Sequence, residues 1–68
     1  MKISYEKLWI LLKENKMKKS EFAKAIHASN YAMSKLKNNQ PVNLSVIMNI
    51  CKVFHCNVED ILMISETF

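Results

Sequence analysis

Two short helical patterns lie only a few residues apart between Ser20 and Leu36, and their close spacing constrains the fold more than any other feature. The first begins at Ser20, whose hydroxyl group is suited to the start of a helix, and continues with apolar residues at helical spacing. The second begins at Ser29 and turns Met33 and Leu36 inward. The pattern therefore predicts two helices joined by a tight turn.

The outer face of the second helix is polar. Residues three or four apart share one face of a helix, and this face carries Asn30, Tyr31, Ser34 and Lys35. These side chains offer hydrogen-bonding groups rather than a run of solvated charges. The composition of this face indicates a surface that contacts another molecule.

This segment resembles the helix-turn-helix of the Cro/C1-type (XRE-like, lambda-repressor-like) family. The family has a small residue at the position of Ala23 and a hydrophobic one at the position of Ala28. The resemblance covers essentially the whole chain, and it implies an all-α, compact five-helix DNA-binding domain formed by residues 1–68. His27 stands where the family usually has Gly, and His enters the left-handed backbone region at moderate cost.

The resemblance also implies how DNA is read. In the family, the second helix of the pair, here about Ser29 to Lys37, lies in the major groove of double-stranded DNA. Asn30 is suited to adenine, and Lys35 to the O6 or N7 atom of guanine. The residues predicted to contact base edges are Asn30, Tyr31, Ser34 and Lys35. The alternative for each is an ordinary exposed helix residue.

A second set of residues is predicted to contact phosphates. These residues are Lys18, Lys19, Ser29, Lys37, Asn38 and Asn39. The two lysines precede the first helix of the pair, where a phosphate can be held by the helix dipole and side-chain charge together. A solvated basic turn is the alternative there, and an ordinary connector is the alternative for the loop from Asn38 to Gln40.

The charge is unevenly distributed along the chain. Residues 1–40 carry nine Lys and three Glu, a net charge of +6, whereas residues 41–68 carry a net charge of −2. The basic part contains the two-helix unit, as expected of a nucleic-acid binder, although solvated lysines give similar sums in many proteins. The chain has no Arg, so a guanidinium cannot read guanine.

Local signals place the other helix boundaries. Ser4 is the predicted N-cap of a first helix, and Asn15 is predicted to take the left-handed conformation at its end. Asn39 stands where the family usually has Gly, and it is predicted to take the same conformation after the second helix of the pair. Asn43 is the predicted N-cap of a fourth helix, and Asn57 starts a short fifth one.

The fourth helix carries a wide apolar surface, which predicts a central place in the bundle. Its apolar positions are Leu44, Val46, Ile47, Met48, Ile50, Cys51, Val53 and Phe54. Beyond it, Met63, Ile64 and Phe68 exceed what closure of the core needs. This tail is predicted either to form a homodimer surface or to pack back on the first helix.

Composition limits the class of protein. The 68 residues suffice for one small domain, and the absence of Gly with a single Pro favours helix. No stretch resembles a membrane span or a secretion signal, so we expect a cytoplasmic protein. We expect no cofactor and no small-molecule ligand.

The residues that can perform chemistry do not form a known site. Cys51, His55 and Cys56 with the distant His27 lack the paired spacing of a zinc site. Neighbouring residues on a helix point about a hundred degrees apart, so Cys56 next to His55 does not indicate a nucleophile and its base. We therefore predict reduced thiols, no metal and no enzyme.

Three functions remain for comparison. The first is a small repressor-like transcriptional regulator that binds double-stranded DNA. The second is a protein-interaction module, such as an antitoxin-like or anti-repressor subunit, that uses the apolar C-terminal residues. The third is an RNA binder, which usually displays aromatic side chains for stacking, and only Tyr31 is a good exposed candidate.

Overall fold

The computed structural model describes residues 2–66 as four α-helices, one 3₁₀ turn and a two-stranded sheet. The helices and strands are β1 (Lys2–Ser4), α1 (Glu6–Glu14), α2 (Lys19–Ala25), α3 (Asn30–Lys37), α4 (Leu44–Phe54) and β2 (Met63–Ser65). The 3₁₀ turn spans Val58–Asp60, between α4 and β2.

The prediction of five helices in an all-α fold was wrong. The segment after Asn57 makes only one 3₁₀ turn, and the chain then becomes extended. β2 pairs with β1 in antiparallel register, with Ile3 opposite Ile64 and Ser4 opposite Met63. Met63 and Ile64 therefore lie in a strand that pairs with the N-terminal strand, and Phe68 lies outside the described residues.

One hydrophobic core holds the helices together. The buried core residues are Tyr5, Leu8, Leu12, Phe22, Ile26, Met33, Leu36, Ile47, Ile50 and Ile61. Phe22 of α2 is fully buried, and its ring stacks on Phe54 at 6.0 Å between centroids and meets the edge of Trp9 at 6.3 Å. Trp9 is thus a partly buried residue that packs against the core.

The apolar surface of α4 is only partly buried. Ile47 and Ile50 belong to the core, but Leu44 is 69% exposed and Met48 is 62% exposed. The wide apolar surface that predicts a central place for α4 is therefore buried along only part of its width. Asn43 does precede α4 at the N-cap position, although its side chain accepts no capping hydrogen bond there.

Two helix starts differ from their predicted positions. Ser4 lies in β1, and Tyr5 takes the N-cap position, although Ser4 Oγ still accepts from the Glu6 N–H at 3.3 Å. The helix predicted to begin at Ser20 begins at Lys19 and follows Lys18 as N-cap. Both shifts are within the one or two residues by which helix boundaries commonly vary.

All four α-helices end at a residue in the left-handed conformation, although the chain has no Gly. These residues are Lys16, His27, Asn39 and His55, with φ between 52° and 56°. His27 and Asn39 confirm the predictions, whereas Asn15 was the wrong choice in the first turn, since its φ is −90°. The Asn15 side chain instead donates to Leu11 O at 2.8 Å.

Each of these helix ends is closed by the same backbone hydrogen bond. The N–H after the left-handed residue donates to the carbonyl five residues earlier, which is the bond of a Schellman motif. The closing bonds are Met17 N–H to Leu12 O, Ala28 N–H to Ala23 O, Gln40 N–H to Lys35 O and Cys56 N–H to Cys51 O, at 3.0, 2.9, 2.9 and 3.1 Å. Four closures of this kind set the directions in which successive helices leave their turns.

Replacing Lys16 by Gly is expected to stabilise the protein. The left-handed conformation costs a non-Gly residue about 1–2 kcal/mol, and the greater flexibility of Gly in the unfolded chain offsets part of that gain. We expect Lys16→Gly to raise the free energy of unfolding by about 0.5–1 kcal/mol in urea titration. Lys13→Gly, inside α1, is the matched control and should lower it by about 1 kcal/mol. Equal losses in both variants would contradict the left-handed turn.

Candidate nucleic-acid interface

Helix α3 is fixed by a cap at its start and by two buried side chains. Ser29 is the N-cap, and its Oγ accepts a hydrogen bond from the Ala32 N–H at 3.1 Å. Met33 and Leu36 are 6% and 0% exposed and face the core. The predicted start and inner face of this helix are confirmed, so its polar residues lie on the surface.

The polar residues on the outer face of α3 differ in how far they are exposed to solvent. Asn30 and Ser34 are exposed, and Tyr31 is 72% exposed. Lys35 is half-buried, and its Nζ lies 4.9 Å from the centre of the Tyr31 ring. A cation over an aromatic face is attracted to it, so the structure brings Tyr31 and Lys35 together on one side of the helix.

The pair formed by Tyr31 and Lys35 borders an open groove of about 340 Å³ between α3 and the start of α4. Ala32 also lines this groove from α3, while Pro41 and Val46 line it from the other side. The groove combines apolar walls with the amine and the phenol hydroxyl. A base edge or a sugar that enters beside α3 would meet both kinds of group.

The amides that follow α3 are already engaged within the protein. Asn38 Nδ2 donates to Ser34 O at 2.8 Å and to Ser34 Oγ at 3.4 Å. Asn39 Oδ1 accepts a hydrogen bond from the Tyr5 N–H at 3.1 Å. The bond to Tyr5 uses the side-chain oxygen of Asn39, so Asn39 can still donate from Nδ2. Asn38 already uses its Nδ2 group as a donor to the last turn of α3.

Tyr5 was not among the residues predicted to take part in this site. It is 1% exposed, and its hydroxyl donates to Gln40 O at 2.7 Å. Burial raises the pKa of this phenol above its usual value. Two hydrogen bonds from one buried residue thus hold the loop that follows α3. No local pattern signals this, because the partners lie 34 and 35 residues apart.

The lysines before α2 have different surroundings. The Lys18 N–H donates to Glu21 Oε1 at 3.0 Å, so a carboxylate of the protein already occupies the helix start where a phosphate was predicted. Lys19 is exposed, and its Nζ lies 4.6 Å from the centre of the Trp9 ring. Lys37 is exposed at the last residue of α3. The ammonium groups, rather than the start of α2, are therefore the candidates for phosphate contacts here.

The turn between α2 and α3 is held from α4. Asn49 Nδ2 donates to Ile26 O at 3.3 Å, directly before the left-handed His27. Together with the closing bond from the Ala28 N–H to Ala23 O, this contact fixes the angle at which α3 leaves the turn. The structure therefore contains the two helices joined by a tight turn that the spacing predicts, in the arrangement that the resemblance implies.

The described residues were also considered as a metal site and as a membrane-spanning segment. No group of three or more His, Cys, Asp or Glu side chains in this range is arranged to hold a metal ion. No helix within it is long and apolar enough to cross a membrane.

Comparison with known proteins gives the same interpretation as the geometry. Residues 7–66 match the model of the Cro/C1-type HTH DNA-binding domain. The chain belongs to the Cro/C1-type helix-turn-helix family. A crystal structure of the transcriptional regulator VanUg (Form II) is similar to it, with 39% identity and a TM-score of 0.88 over 91% of this chain and 83% of that chain. A comparison with curated proteins gave no match.

Membership of the Cro/C1-type family supports the coarse function. The family and the fold are those of DNA-binding transcriptional regulators, which are typically not enzymes. Neither comparison concerns individual contact residues, so the contacts predicted for α3 and for the lysines remain predictions.

Replacing Tyr5 by Phe is expected to loosen the loop that follows α3. The ring stays buried, and only the hydrogen bond to Gln40 O is lost, which costs about 1 kcal/mol of unfolding free energy. Tyr31→Phe is the matched control, because Tyr31 is largely exposed and should change stability by less than about 0.5 kcal/mol. Equal stability of the two variants in urea titration would show that the Tyr5 hydroxyl does not hold the loop.

Proposed function

We propose that this protein binds double-stranded DNA sequence-specifically, as a small repressor-like transcriptional regulator whose helix α3 enters the major groove. The observation that carries the proposal is the exposed polar face of α3 in a Cro/C1-type domain. A capped helix with a buried inner face presents these side chains in a fixed arrangement, as base reading requires.

Base recognition is assigned to four residues of α3. Asn30 can exchange two hydrogen bonds with adenine, and Lys35 can donate to guanine. Ser34 suits either base, and Tyr31 can contact a thymine methyl group with its ring or a phosphate with its hydroxyl. The contact between Lys35 and the Tyr31 ring supports this assignment, since it restrains a flexible amine at the edge of the groove.

Phosphate contacts are assigned to Lys18, Lys19, Ser29, Lys37, Asn38 and Asn39. The net charge of +6 in residues 1–40 supports this assignment, because counterion release from DNA favours binding by a basic surface. Lys19 is the best supported of the lysines, since its ammonium group is exposed and held against Trp9. Asn38 is the weakest of the six, because its amide already bonds to Ser34.

The C-terminal strand is proposed as a homodimer surface. Met63 and Ile64 are 52% and 56% exposed, although β2 already pairs with β1. A symmetric dimer would present two copies of α3 to half-sites about 34 Å apart. The same exposure is the observation that favours the alternative function, a protein-interaction module that does not need DNA. Size measurement of the purified chain with and without DNA distinguishes the two.

The proposed function is tested by selecting duplexes from a random pool at near-physiological salt. A sequence-specific regulator should enrich one site, and a dimer should enrich a palindrome whose half-site spacing reports its geometry. Enrichment of no sequence above the starting pool would refute sequence-specific binding.

Replacing Asn30 or Lys35 by Ala should weaken binding to the selected site by about 1–3 kcal/mol, roughly a tenfold to hundredfold rise in Kd. Preference should relax at one base pair, because each side chain is assigned to one base. Binding to random duplexes should change much less. Competition assays against single-base variants of the site measure both effects, and equal losses on selected and random DNA would contradict the base-reading role.

Replacing Lys19 by Ala should weaken binding to all duplexes alike. A phosphate contact carries no sequence information, and its loss should reduce the slope of log Kd against log salt by about one unit. Lys52→Ala is the matched control, because Lys52 lies in the last turn of α4 and should leave the slope unchanged. If both variants reduce the slope equally, the effect is one of net charge and not of a contact by Lys19.

A further inference from the structure

Two cysteines lie at the C-terminal end of α4, outside the candidate interface. Cys51 is in the last turn of the helix, His55 is the left-handed residue that ends it, and Cys56 follows directly. Both thiols are free and half-buried. The proposed DNA contacts use neither of them.

The backbone brings these two residues together. The Cys56 N–H donates to Cys51 O at 3.1 Å, which is the closing bond of the fourth helix end. In a Schellman motif the side chains at the two ends of this bond commonly touch, and the contact is usually apolar. The equivalent pairs at the first two helix ends are Leu12 with Met17 and Ala23 with Ala28. At the end of α4, this position pairs two thiols.

The Cys56 thiol is influenced by the Cys51 side chain. Burial raises the pKa of Cys56 above its usual value, and the neighbouring Cys51 and the negative charge of Asp60 raise it further. Cys56 is therefore mostly protonated at neutral pH.

We propose that Cys51 and Cys56 form a reversible dithiol–disulfide site, which is oxidised by exchange with a low-molecular-weight disulfide such as glutathione disulfide. The proposal does not rest on DNA binding. It assigns a modification site to the end of α4, where the backbone bond that closes the helix has already brought the two residues together.

The exchange takes place in two steps. The Cys51 thiolate attacks one sulfur of the small disulfide, which forms a mixed disulfide and releases one small thiol. Cys56 then loses its proton to solvent and attacks Cys51 Sγ, which forms the Cys51–Cys56 bond and releases the second small thiol. The protein loses two electrons and two protons, and one small disulfide is reduced to two thiols.

The folded backbone is expected to favour the internal disulfide. Forming a disulfide between two residues that the backbone already holds together requires little further ordering, whereas the unfolded chain must first close the loop. The disulfide should therefore be more stable in the native protein than in the unfolded chain, by about tenfold in the equilibrium constant for exchange. A pair that is close only in sequence would show no such difference.

The first experiment incubates the full chain with excess glutathione disulfide at mildly alkaline pH and measures intact mass. We expect the monomer to lose the mass of two hydrogen atoms and to have no thiol left for alkylation. Cys51→Ser and Cys56→Ser are the controls, and each should stop with one glutathionyl group attached. A wild-type chain that carries two glutathionyl groups, or that forms disulfide-linked dimers instead, would overturn the proposal.

The second experiment compares the native chain with the same chain in concentrated urea, both equilibrated in one series of glutathione redox buffers. The quantity measured is the ratio of the glutathione disulfide concentration to the square of the glutathione concentration at which half of the chain is oxidised. We expect this ratio to be about tenfold lower for the native chain than for the unfolded chain. An equal or larger requirement in the native state would show that the helix end does not favour the disulfide. This comparison does not depend on whether either serine variant folds.

Discussion

The left-handed closure of each helix is the constraint on which the rest of this structure depends. A chain without Gly must place Lys16, His27, Asn39 and His55 in a conformation that costs about 1–2 kcal/mol each. The closing hydrogen bond at the C-terminal end of each of these helices offsets part of this cost. Because these turns set where each helix begins, they also determine which side chains of α3 reach the surface.

The orientation of α3 is determined at both of its ends and along its inner face. Before the helix, Asn49 of α4 holds the turn through Ile26 O; after it, Tyr5 holds the following loop. Between these points, Met33 and Leu36 are buried in the core. For the proposed reading of DNA by α3, a helix restrained in this way would lose little conformational freedom on binding, so more of its interaction energy would remain available for discrimination between bases.

Local sequence signals predicted the parts of the protein that depend on local physics. The cap at Ser29 and the inward side chains of α3 follow from periodicity and from residue preferences at helix starts. The left-handed His27 and Asn39 were located by the family resemblance, since they stand where the family usually has Gly. The terminal strands were missed, because three residues are too few for a period and their partner lies at the other end of the chain. The role of Tyr5 was missed for a similar reason, because its hydrogen-bond partners are distant in the sequence. For Leu44 and Met48, an apolar side chain did not imply burial.

The pairing of β1 with β2 also has a kinetic meaning. Ile3 and Ile64 meet across nearly the whole length of the chain, so their contact requires a much larger loop closure than the contacts within the helices. The helices, in contrast, are built from contacts between near neighbours, which form without that entropic cost. The β1–β2 ribbon should therefore form late during folding, after the helical core has brought the two strands together. It should also be among the first segments to exchange its amide hydrogens.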